Sequence, residues 1–170
     1  MPPVTLAQLK AAGIAGAQAR GLFLRWAIGH HAVENAIFEF AVEQYRANPS
    51  AAKLYVLQNF IVNGQGLIAA VNVQAHTLNA VNNFVAAHPP GAGGGWVPGV
   101  NAHIFDAAQQ DLEQAVYQGW LMNYDDNYNI NAPALVGHIN NYTADLQAVA
   151  LALRNAGFDT ADMGFVPPYN

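Results

Sequence analysis

The chain has 170 residues, 11 Asp and Glu against 6 Lys and Arg for a formal charge of −5, and no cysteine. With no cysteine there is no disulfide framework, no thiolate nucleophile and no Cys-ligated metal centre, and the only serine, Ser50, stands where a helix cap is expected rather than beside a base. Charged residues make up only 10% of the sequence, well below the usual quarter or so, so polarity rests on 17 Asn and 11 Gln, and the length suits one domain spanning residues 1–170.

Helix-type patterning runs through the chain. Thr5 is a good N-cap for the stretch beginning at Leu6, and Gly13 followed by Ile14 reads as a helix end with an apolar contact beyond the glycine. Leu153-Arg154-Asn155-Ala156-Gly157-Phe158 has the same ending. A second helical stretch covers about 16–47, stopped by Pro49, with a break expected near Gly29. Ser50 opens a third, reaching Ala87. Positions 57, 61, 64, 68, 71, 75, 78, 82 and 85 form a mostly apolar heptad seam, with Gln58, Gln65, Asn72 and Asn79 as an amide stripe beside it. Asn63-Gly64-Gln65-Gly66 could split this stretch into a hairpin, but the unbroken register favours one long helix.

Residues 88–101 form a Pro/Gly-rich loop. Asn101 then caps a helix over roughly 102–124, residues 125–129 make a turn, and a last helix runs from Asn131 or Ala132 to Ala156. No stretch alternates with period two. The expected fold is all-α, a bundle of four to five helices. Five amides within residues 54–72, and no basic flank, argue against a membrane span.

Charge is unevenly placed. Residues 1–33 carry Lys10, Arg20 and Arg25 and no acid, while residues 54–105 contain no Asp, Glu, Lys or Arg at all. An uncharged block of that length exposes helix surface with nothing to solvate it strongly, which points to coverage by neighbouring subunits. The basic segment could act as an arm, its three cations lining a phosphate backbone. Equally, Arg20 and Arg25 could pair with Glu34, Glu39 or Glu43. A metal reading starts from His31-x-x-Glu34 and His103-x-x-Asp106, each placing a nitrogen and a carboxylate within one helical turn. Glu-x-x-His, the pattern of di-iron bundles, is absent. Paired carboxylates for acid–base work are not spaced to converge, so nothing supports an enzyme, and no cofactor is implied.

In its acid-free basic N-terminal segment, its uncharged middle and its small-residue, amide-rich helices, the chain resembles the all-helical major coat proteins of filamentous and rod-shaped archaeal viruses. The resemblance implies a self-assembling capsid subunit of a helical virion. Lys10, Arg20 and Arg25 would face double-stranded DNA, the other helices would pack copies into a polymer, and a more basic paralogous subunit could share the DNA. The alternative expectation is a cytoplasmic four-helix bundle holding a metal, through His31, Glu34, His103 and Asp106, or a small apolar ligand.

Overall fold

Helix caps written into the sequence set the first boundaries. The computed structural model describes residues 5–30, 32–62, 64, 70–87, 102–114 and 133–170. Thr5 caps helix α1 (Leu6–Lys10) with a reciprocal pair. Its hydroxyl accepts from the Gln8 N–H at 3.2 Å, and its own N–H donates to the Gln8 side chain at 2.7 Å. α2 spans Gly13–Gly29 and α3 spans Val33–Ala47, so the long second stretch breaks where Gly29 suggested. Gly13 has the positive φ expected of it but stands at the start of α2 rather than at the end of α1, and Ile14 after it is 80% exposed. Ser50 caps α4 (Ala51–Val56) by accepting from the Lys53 N–H at 3.2 Å, and the chain continues into π-helical turns over Leu57–Val62. α5 (Ala75–Ala87), α6 (Asp106–Leu112) and α7 (Pro133–Asn155) follow. Among the described residues there is no strand. The protein is all-α, and the expected helices appear as seven segments among the described residues.

One long helix over 51–87 does not form. Gly64 adopts φ +70°, and residues 70–74 are not helical. Gln58 Nε2 donates to Asn82 Oδ1 at 3.1 Å, which brings α5 back beside the π-helical turns. The seam is kept only in part: Leu57, Val71 and Val85 are buried, Ala75 is exposed, and the buried Val81 lies outside it. A seam alone therefore cannot distinguish a continuous helix from one folded back on itself. The loop 88–101, with Asn101, and the turn 125–129 lie outside the described residues.

α3 is the central element. Every residue from Val33 to Val42 is buried, because α2, the π-helical turns and α6 all pack on it. Its aromatic side chains meet those of its neighbours edge-on, Phe38 against Phe105 at 6.0 Å and Phe40 against Phe23 at 6.3 Å. Residues 5–30 belong to this assembly and do not stand apart as an arm. Leu9, Phe23, Leu24, Trp26, Ala27 and Ile28 are all in the core. No helix among the described residues is long and apolar enough to cross a membrane.

The carboxyl end closes the structure. α7 stops in the glycine-terminated motif that its sequence promised. Phe158 N–H donates to Leu153 O at 3.0 Å and Gly157 N–H to Arg154 O at 2.9 Å, with Gly157 at φ +94° and Phe158 buried. The following turns fold back onto α2, where Gly164 has φ +93° and lies so close that an added Cβ would stand 2.6 Å from Gly21 N. Both the dihedral and the backbone-to-backbone approach demand glycine. Gly164→Ala should lower unfolding stability by about 2–4 kcal/mol, read from urea denaturation, because neither the left-handed backbone nor the Gly21 contact can accommodate a methyl group.

Candidate functional site

The three N-terminal cations reach three different environments. Arg20 points inward from α2 and is 6% exposed. Its guanidinium donates to the Leu9 and Ala11 carbonyls at 2.8 Å each, to the Asp162 carbonyl at 2.5 Å, and to the Asp162 carboxylate at 2.6 Å. It pairs with none of the three glutamates that sequence spacing offered. Its partner is 142 positions away, on the C-terminal turns.

Lys10, in the last turn of α1, reaches a group of acids held by α3 and the end of α6. Nζ lies 3.3 Å from Glu43 and 3.7 Å from Glu39, and forms an ion pair with Glu113. Burial disfavours its charge, but the Glu113 hydrogen bond and the three carboxyl groups outweigh that and hold its pKa above the ordinary lysine value. Arg25 is half-buried on the outer side of α2 and has no hydrogen-bond or ion-pair partner among the described residues.

The acid group around Lys10 is one continuous network. Gln109 Nε2 donates to Glu43 at 2.8 Å and to Glu39 at 3.2 Å, and its oxygen accepts from Arg46 at 2.5 Å. Arg46 also grips Asp106 with two nitrogens, at 2.8 and 3.0 Å, and reaches Glu43 at 3.2 Å. His103 Nδ1 lies 2.7 Å from the other Asp106 oxygen. Burial opposes ionisation of both Glu43 and Asp106. The Gln109 amide, Lys10 and Arg46 still hold Glu43 below its usual pKa, while Arg46 and His103 do the same for Asp106.

Glu39 behaves in the opposite way. Its side chain is fully buried, and Oε2 finds no donor on a neighbouring side chain. Burial, then the hydrogen bond to Glu113 and that group's charge, push its pKa up to about 9, with Lys10 offsetting only part of the rise. Burial therefore favours the neutral form of Glu39, in a site already filled by Lys10, Gln109 and Glu113.

The residues of the metal reading are only partly visible. His31 lies outside the described residues. Glu34 is 6% exposed and accepts from the Asn35 side chain at 3.0 Å. Asp106 and His103 are brought together, but Arg46 occupies the carboxylate as well. Among the described residues no three His, Asp or Glu side chains are arranged to hold a metal ion. Sequence reasoning missed Glu39, Glu113 and Gln109 as a group. Glu39 and Glu43, at i and i+4, could be read from the sequence only as further oxygens for the metal site, because Gln109 is 70 positions from Glu39. Comparison with protein-family models, with curated proteins and with solved structures finds no match to this chain.

Two outcomes follow. Arg20→Ala should cost about 2–4 kcal/mol of stability, since it leaves Asp162 and three carbonyls without their donor, and thermal or urea unfolding will measure it. For Glu39, the unfolded chain loses the proton near 4.5 and the folded protein near 9, so this group's contribution is fully present below 4.5 and is lost as pH rises to about 9. Glu39→Gln retains a donor without the titration. Urea midpoints should show the variant gaining on the parent by about 1 kcal/mol or more at pH 8, with the gain vanishing near pH 4.5.

Proposed function

We propose that the chain is a non-enzymatic structural subunit that self-associates through uncharged helical faces. The observation that carries this reading is the outer surface of α5. Its exposed residues are Ala75, His76, Asn79, Ala80, Asn83, Ala86 and Ala87, without one charged group among them, while Thr77, Val81 and Val85 face inward. α7 is similar but carries two charges: Val136, Asn140, Ala144, Gln147, Ala148 and Leu151 are exposed along it, Val136 at 38% and Leu151 at 53%, together with Asp145 and Arg154. Small side chains allow another helix to approach closely, and amides offer hydrogen bonds across the contact without the desolvation cost of a charge. Exteriors meant only for water carry many more charges.

The most specific form of this reading is a major coat protein of a helical virion packed around double-stranded DNA. Its DNA component rests on Arg25, since Lys10 is held by Glu39, Glu43 and Glu113. Arg20 contributes by fixing α2 rather than by touching phosphate. A subunit offering one unpaired cation needs a more basic partner subunit or many copies along one duplex, since each phosphate contact adds a salt slope of only about −0.9.

Size-exclusion chromatography with light scattering and a 260/280 nm absorbance ratio tests both parts. The expected result is a particle of many copies with a raised ratio, and a lower ratio for Arg25→Ala. A protein-only particle would leave self-assembly and remove DNA. A monomer over the whole accessible concentration range would overturn the proposal.

A further inference from the structure

A groove of about 550 Å³ runs along the outer side of α2, between that helix and the C-terminal turns. Ile14, Leu22 and Val166 form its walls, at 80%, 37% and 42% exposure, and Gly21 and Gly164 form its floor. It is wide because the two glycines bring backbone against backbone, so no side chain fills the space above them. Its size lies within the range of ordinary small-ligand sites, roughly 300–1,000 Å³. One charged residue lines it, Arg25, and no acid does.

Arg25 differs from the other five cations. Lys10, Arg20 and Arg46 are held by carboxylates. Lys53 donates to the Asn48 carbonyl at 2.8 Å and lies over the Phe158 ring, and Arg154 reaches the Thr160 hydroxyl at 3.4 Å. Arg25 has no such partner among the described residues. Its charge reaches Tyr169, but burial holds that phenol up to about 12, so it stays neutral and supplies no counter-charge. A half-buried guanidinium at an apolar groove, with no acid to meet it, is complementary to an anion carried on an apolar body.

We infer that this groove binds a single-chain amphiphile with a carboxylate head, the chain lying over Gly21 and Gly164 between Ile14, Leu22 and Val166 and the head bonded to Arg25. From Ile14 to Arg25 the helix rises about 16 Å at 1.5 Å per residue, a length matched to an extended medium-to-long acyl chain. The elements involved are not the outer faces of α5 and α7, so the site does not depend on self-association, while a ligand on Arg25 would compete with the DNA contact proposed for the same residue.

Calorimetric titration with laurate below its micelle concentration tests the inference, with dodecyltrimethylammonium as a cation of the same chain length. One laurate should bind per chain, and the cationic amphiphile should bind at least about tenfold more weakly, as expected where one charge-assisted hydrogen bond decides. Arg25→Gln should weaken laurate by a similar factor and erase the preference. Ile14→Asp changes a side chain that is already 80% exposed, and should abolish laurate binding with an unchanged circular dichroism spectrum. Equal affinity for the two amphiphiles, laurate binding indifferent to Arg25→Gln, or no laurate binding at all would overturn the inference. So would a particle that dissociates on Ile14→Asp, because the groove's occupant would then be a second copy of the chain.

Discussion

The Arg20 guanidinium holds the two ends of the chain together. From the body of α2 it reaches the end of α1 and the C-terminal turns at once, through the Leu9, Ala11 and Asp162 acceptors. Only a planar, multiply donating cation can serve three carbonyl groups and a carboxylate from one buried position. Its fixed geometry sets Asp162 beside α2, which brings Gly164 onto Gly21 and so creates the floor of the groove. Gln44 fixes the same turns from α3. Its amide donates to the Asp159 carbonyl and accepts from the Asp159 N–H, both at 2.8 Å. The closure is thus polar on one side of α2 and apolar on the other.

The network around Lys10 follows the same economy. α3 buries Glu39 in a core that would reject a bare carboxylate, and the structure answers with a proton, an amide and an ammonium rather than with solvent. Gln109 has a central place because an amide can donate and accept at once: its NH₂ donates to Glu39 and Glu43 and its oxygen accepts a hydrogen bond from Arg46. Elsewhere Asn35, Gln58 and Asn82 join segments in the same way. The abundance of Asn and Gln in the sequence therefore serves internal junctions as well as outer surface.

Local signals were legible and distant ones were not. Thr5, Ser50, Gly29 and Gly157 each announce a boundary that the structure contains, because capping and helix termination depend on residues a few positions apart. The break within 51–87 was legible only as an alternative, since Gly64 permits a turn while the heptad seam is indifferent to it. The destinations of Lys10 and Arg20 were beyond reach. Composition marks residues 1–33 as basic, but whether a cation faces solvent or a carboxylate depends on what the fold brings near. Asp162 and Glu113 are more than a hundred positions from their partners. The groove was hidden for the same reason: Ile14, Leu22 and Val166 look like ordinary core residues until α2 and the C-terminal turns are placed together.

The destinations of the cations also bear on how the exterior can interact. A chain with six cations that commits three of them to its own carboxylates neutralises those charges pairwise, even where Asp106 and Asp162 stay 45% and 37% exposed. What remains outside on α5 and α7 is Ala, Asn and Gln, relieved by Asp145 and Arg154. Long-range attraction to a polyanion needs clustered, unpaired positive charge, and the exterior of α2 offers one such cation beside an apolar groove. Short-range packing needs only shape, small side chains and satisfied amides, which the helical faces have in abundance. The physical balance of this surface therefore favours contacts made at close quarters, helix face to helix face, over contacts steered by charge from a distance.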